Sequence, residues 1–321
     1  MNSESEIQPL PLKKLSDVKE EPEAGSWLIH SLWSASAVGI VGGEPKTYKT
    51  WLTGELVHAV ASGHNAFGRF HVEQPGPVLI FHQEDGQQQI RARLSGISLA
   101  HGTEIADLPI HFIDVPTLYL DDAQQIRALR LTIAQARPRL IVLDPFVRLV
   151  RGLDENSAND VARVLGELRR IQRELDVAVL LVHHMRKARS SHPGHQLRGS
   201  GDFAAWTDSA IYVARRGNDR ILTIEHRSRP APSPIRVRLA QEPMPHLIVV
   251  DAEQTGEKAT PSLADTILAW LQHTASRQPT IAIRDATKAR KASVVEALRG
   301  LESAGKVERN QQGWALKKPV P

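Results

Sequence analysis

The sequence predicts an α/β fold, a mostly parallel sheet flanked by helices, with a small helix-and-hairpin module behind it. Three observations lead there. Short, partly β-branched apolar runs alternate with stretches of ten to eighteen residues whose apolar positions recur at helical spacing, the pattern of βαβ units. Polar residues of distinctive type gather at the ends of the predicted strands. Past about residue 250 both the periodicity and the charge balance change.

Length and composition bound the reading. A chain of 321 residues holds one large α/β domain and a smaller one. Apolar residues make up 41%, enough for a core. No apolar run reaches the ~18 residues of a membrane span, so no membrane partner is expected. The first 25 residues carry six acidic groups and no apolar stretch of signal-peptide type. The absence of cysteine excludes disulfides and thiolate metal sites, and the expected location is a reducing cytoplasm. The net charge of +4 says little until its distribution is considered.

In order, residues 1–24 mix Pro, Glu, Lys and Ser and read as an adaptable lead-in. A core domain over 25–250 then begins with an apolar cluster from Trp27 to Trp33. Residues 37–41 predict a buried strand, and residues 50–62 a helix with Leu52, Leu56, Ala59 and Val60 on one face. Between them lies GGEPKTYKT, in which Gly43, Lys49 and Thr50 take positions 1, 7 and 8 of G-x-x-x-x-G-K-[ST]. Such a loop, leading into a helix N-terminus, offers backbone N–H groups to phosphate anions. Glu44, Pro45, Lys46, Thr47 and Tyr48 fill the cradle. Lys49 supplies a charge for the β- and γ-phosphates, and the Thr50 hydroxyl reaches Mg²⁺. ATP and Mg²⁺ are the expected ligands. Tyr48 stands where the motif has glycine, so the loop either takes another backbone geometry or is only a polar strand-to-helix turn.

Further strands are predicted at 77–81, 110–113, 139–143 and 177–182, and helices at 87–99, 121–136 and 158–175. The last helix sets Val161, Val164, Leu165, Leu168 and Ile171 along one stripe. Lys49, Glu84, Asp144 and His184 each fall just past a predicted strand, on the edge where open parallel sheets bind ligands. An apolar strand followed by one aspartate, as in LIVLD, is how phosphate-loop ATPases place the acid that orients Mg²⁺. Apolar runs at 209–214, 220–225, 235–239 and 247–250 predict antiparallel strands that extend the sheet.

On IVGGEPKTYKTWL, LIFHQED, LIVLDPFVRL, AVLLVHHMRK and LRGSGDF, in that order, the chain from Trp27 to Glu225 resembles the RecA-type P-loop ATPases. Within them it is similar to the group typified by the RepA plasmid-replication helicase. The resemblance implies that Glu84 activates the attacking water and that Asp144 is the metal-site acid. It implies that His184, or His183 if the register is one off, senses the γ-phosphate. It also implies that Arg198 reaches into a neighbouring subunit's site. A homo-oligomeric ring, a hexamer, acting on nucleic acid and above all on DNA, follows from the same resemblance. Plainer readings stand beside each assignment: Glu84 as a solvated turn acid, Asp144 as the start of a turn, the histidines as one core and one surface residue, and Arg198 as a loop cation. Two other functions compete with a helicase or replication motor. One is an ATP-dependent DNA-binding regulator or loader. The other is a scaffold that binds nucleotide without turnover, with Tyr48 as its mark.

Loops at 146–156 and 186–201 leave the same sheet edge, and the second carries Arg186, Lys187, Arg189 and Arg198. In rings of the resembled type such loops face the channel and a nucleic-acid backbone. Residues 251–261 read as a linker. From 262 to 321, helices at 264–272, 280–289 and 291–304 and a hairpin through 307–316 resemble a winged helix. This module holds ten lysines and arginines against five acids. Its third helix is expected in a DNA major groove, with Lys288, Arg290 and Lys291 at or before its start; a protein partner is the alternative.

Overall fold

The apolar runs of the first 250 residues pair into one large sheet. The structure is a computed structural model, and it describes residues 11–18, 25–151, 158–185, 202–251, 263–274, 276–289, 291–303, 305–310 and 313–317. The chain divides into two compact units, Met1–Val250 and Asp251–Pro321.

In the first unit, β1 (Trp27–Ile29) and β2 (Trp33–Ser34) form a small antiparallel ribbon. Strands and helices then alternate through β3 (Val38–Gly43), α1 (Lys49–Ser62), β4 (Val78–His82), α2 (Gln87–Ala100) and β5 (Ile110–Phe112). The alternation continues with α3 (Ala123–Ala136), β6 (Leu140–Asp144), α4 (Ala158–Leu175) and β7 (Ala178–His184). A short α5 (Asp202–Trp206) leads into β8 (Ser209–Arg216), β9 (Asp219–His226), β10 (Ile235–Ala240) and β11 (His246–Val249). Among the described residues nine of these strands form one sheet in the order β11-β10-β9-β8-β3-β7-β6-β4-β5. Neighbours from β8 through β5 are parallel, and β8 through β11 are antiparallel, as the sequence predicts.

Both faces of the parallel part are covered, which is why its strands are apolar at nearly every position. Alternate residues feed two cores. Val41, Val142, Leu180 and Val182 pack with α1 and α2 on one face. Val38, Ile40, Ile141, Leu143, Val179 and Leu181 pack on the other with the predicted stripe of α4. Truncating one of those stripe residues, Leu168→Ala, is expected to cost about 2–5 kcal/mol. At Gly39 a Cβ would lie 1.8 Å from the Ser209 carbonyl oxygen, so β3 and β8 approach over a bare backbone. At the far edge of the sheet, Glu55 of α1 accepts a hydrogen bond from Leu247 N of β11 at 2.7 Å.

The elements depart from expectation mainly at their ends. β6 and β7 run on to Asp144 and His184, so these two residues end strands rather than follow them. The helix expected from 121 starts at Ala123 because the Asp122 carboxylate accepts from Gln124 N and Gln125 N, an N-cap. Among the described residues no helix is long and apolar enough to cross a membrane.

The second unit holds α6 (Leu263–Gln272), α7 (Thr280–Thr287), α8 (Lys291–Ser303) and a hairpin of β12 (Val307–Asn310) with β13 (Gly313–Leu316). Ile267, Leu271, Ile283, Val294, Leu298, Leu301, Val307 and Trp314 form its core. Three helices and a hairpin follow in the predicted order. Residues 252–261 of the expected linker lie outside the described residues.

Candidate functional site

Where β3 ends, a five-residue loop turns into α1. Gly43 is buried, and a Cβ there would meet Thr47 Oγ1 at 2.7 Å and the Val213 carbonyl oxygen at 2.9 Å. Thr47 is itself buried and donates through Oγ1 to the Glu44 carbonyl at 2.8 Å, while Glu44, Pro45 and Lys46 are exposed. Lys46 and Tyr48 both take left-handed backbone, with φ of 62° and 69°. Tyr48 thus adopts the conformation that glycine enters freely, so the departure from the motif changes the side chain and keeps a glycine-like backbone. For a residue with a Cβ that conformation costs roughly 1–2 kcal/mol. The Arg220 guanidinium lies over the Tyr48 ring, 4.0 Å from its centre. A desolvated contact of this kind is worth up to about 2 kcal/mol, the same size as the strain.

Lys49 opens α1 and is only 7% exposed. Its Nζ donates to the carbonyls of Gly43 at 3.0 Å and Glu44 at 2.9 Å. Burial pulls the ammonium below its ordinary proton affinity, and the Asp144 and Glu84 carboxylates oppose that pull. Thr50 follows, half-buried. Asp144, 4% exposed, ends β6 directly opposite His82 of β4. His82 Nε2 lies 2.8 Å from Asp144 Oδ2, yet the contact lacks the geometry of a hydrogen bond and leaves that oxygen's acceptor capacity unused. An unsatisfied buried acceptor costs about 1–3 kcal/mol, which a bound group would remove. With the Thr50 hydroxyl it makes a set of hard oxygens, which fits Mg²⁺.

Glu84 sits beyond the end of β4, exposed, with Oε1 3.4 Å from Arg148 Nε. Of the two histidines, His184 is half-buried and stands opposite Gly43 in the β3–β7 register. His183 belongs to the other face, stacked on Phe203 at 4.5 Å with Phe146 edge-on at 5.8 Å. His184 is therefore the one beside the loop. Arg198 lies outside the described residues, as do Arg186, Lys187 and Arg189.

Three neighbours of these residues escape a reading by motif. His82 stands inside LIFHQED, where its place two residues before Glu84 is the only hint. Arg148 stands in PFVRL, past the metal-site acid. Arg220 is on β9, and no local pattern ties it to Tyr48.

The chain belongs to an AAA domain family (AAA_25), whose model matches residues 2–190. Among solved structures it is similar to one determined as an isolated ATPase domain, with a TM-score of 0.54 and 15% identity over 67% of this chain and 85% of that one. It is also similar to a DnaB-like replicative helicase studied with its primase, with a TM-score of 0.48 and 16% identity over 64% of this chain and 56% of that one. No curated protein matches the chain. The fold of the core is that of the RecA-type P-loop ATPases.

Proposed function

We propose that the chain is an ATP-hydrolysing RecA-type ring ATPase that acts with nucleic acid, in the manner of a RepA-like DNA helicase or replication motor. The observation that carries the reading is the convergence of Lys49, Asp144 and Glu84. Two carboxylates from β6 and the end of β4 act electrostatically on one buried ammonium at the end of β3. The fold likeness to an ATPase domain supports ATP as the nucleotide, by analogy.

In this reading the amides of residues 44–48 receive the phosphates, and Lys49 exchanges its carbonyl acceptors for phosphate oxygens. Thr50 and Asp144 would hold Mg²⁺, which neutralises charge on the phosphate oxygens when bound. Glu84 takes a proton from the attacking water as the water oxygen bonds to the γ-phosphorus. The bond to the β–γ bridging oxygen breaks, and ADP and phosphate leave. His184, opposite Gly43, reads the γ-phosphate. Arg198 reaches the next subunit's site in a hexamer.

The second unit, taken as winged-helix-like, supports a DNA partner through a groove of about 460 Å³. Arg284, Lys291, Arg299 and Arg309 line it beside Trp314, with Glu302 as its acid. Cations set along a groove suit a phosphate backbone. A regulator or loader is the second reading, and the Glu84–Arg148 pair favours it, because the proposed base is engaged in this state.

Phosphate release measured with and without single-stranded DNA, together with unwinding of a forked duplex, tests these readings. DNA-stimulated hydrolysis with strand displacement is expected. Hydrolysis without displacement selects the regulator or loader, and nucleotide binding without turnover selects the scaffold.

A further inference from the structure

A buried guanidinium is costly unless its surroundings compensate it. Arg220 is 4% exposed. Its Nη1 donates to carbonyls of its own strand turn, Asp219 O at 2.9 Å and Asn218 O at 3.4 Å, and its Nε has no hydrogen-bond partner. The adjacent Asp219 carboxylate is taken by Arg238, at 2.6 Å and 3.2 Å, with Arg236 at 3.7 Å. Among the described residues, what faces the Arg220 guanidinium is the ring of Tyr48.

Tyr48 is also the residue whose left-handed backbone closes the phosphate loop and starts α1. We propose that Arg220 is a positioning residue for this loop: by clamping the Tyr48 ring it holds the backbone that aims the loop amides and Lys49. Glycine performs that task by lacking a Cβ; here a side chain is present and a cation from the antiparallel extension of the sheet fixes it. The inference rests on the nucleotide reading of the loop. Without the clamp the loop leaves the left-handed state part of the time, and apparent affinity falls with the competent fraction.

The test is binding of a fluorescent ATP analogue to the full-length protein, with thermal melting of each variant alongside. Arg220→Ala is expected to raise Kd roughly tenfold, the factor matching a desolvated cation–π contact. Adding Tyr48→Gly to Arg220→Ala is expected to recover most of that loss, because glycine holds positive φ unaided. A merely structural arginine predicts that the loss carries unchanged into the double variant, and that result overturns the proposal. Tyr48→Leu keeps the Cβ and removes the ring face, so it is expected to weaken binding with Arg220 intact. It decides the matter if Arg220→Ala does not fold, and wild-type affinity in Tyr48→Leu overturns the clamp. A wild-type protein that binds no nucleotide removes the nucleotide reading and this inference together, a result distinct from failure of the variants alone.

Discussion

His82 and Asp144 end neighbouring parallel strands as register partners, with the imidazole Nε2 2.8 Å from the carboxylate Oδ2. The imidazole thus crowds the acid without satisfying it. Asp144→Asn is expected to abolish hydrolysis by weakening the hold on Mg²⁺, and Lys49→Ala by removing charge from the phosphates. Nucleotide binding titrated with Mg²⁺ separates them. Binding should lose its Mg²⁺ dependence in Asp144→Asn and weaken at every Mg²⁺ level in Lys49→Ala.

Glu84→Gln should keep ATP binding and lower turnover by ~10²–10⁴, the usual weight of a general base. Wild-type turnover in that variant would remove Glu84 from the mechanism. Its partner makes the opposite prediction. The Arg148 pair is exposed, so it is worth at most about 1 kcal/mol. Arg148→Ala should raise kcat by a few-fold with KM unchanged, as steady-state kinetics will read.

His58 is buried on α1, with Nε2 2.9 Å from Thr103 Oγ1 and its ring stacked on His101 at 4.9 Å. Burial, then His101 and His64, push its pKa down from 6.5 to about 4. Between those values the unfolded chain binds a proton that the folded chain refuses. Stability therefore falls as pH drops through this window and levels below it. One such proton contributes a slope of roughly 1.4 kcal/mol per pH unit. Denaturant midpoints measured across the window should show His58→Gln with a slope shallower by about that amount.

In the second unit, Arg299→Ala with Arg309→Ala should leave DNA-independent hydrolysis intact and weaken duplex binding. Each lost phosphate contact should flatten the log–log salt dependence by about 0.9. Equal affinity and slope in the variant would point to a protein partner for the groove.

The ring makes its own prediction. Arg198→Ala and Glu84→Gln subunits, each nearly inactive alone, should regain part of the activity when mixed. A mixed interface then joins an intact Glu84 to an intact Arg198, whose finger role is worth roughly 10³–10⁵ in rate. Size-exclusion chromatography of labelled protein checks that subunits exchange. No recovery after exchange makes Arg198 a loop cation.

Most of the sheet was legible because each parallel strand is buried on both faces and reads as an unbroken apolar run; β6, Leu140 to Asp144, is the clearest case. Strand ends were less legible, since His183 and His184 look like a loop yet are held in the ladder beside Gly42 and Gly43. The loop motif placed Lys49 and Thr50, but the motif alone left the backbone of Tyr48 open. That backbone is coupled to Arg220, which arrives through strand pairing distant in sequence, and no local pattern encodes such a contact. The Glu84–Arg148 pair escaped for the same reason.

Glu55 bears on how subunits meet. Its carboxylate occupies the Leu247 N–H of an edge strand, and that donor is closed to any incoming strand. The opposite edge, β5, is three residues long and gives an intruding chain little to pair with. A ring of these subunits is therefore expected to be sewn together by side chains, each sheet stopping at its own boundary, so that one subunit can tilt against the next without breaking a backbone ladder.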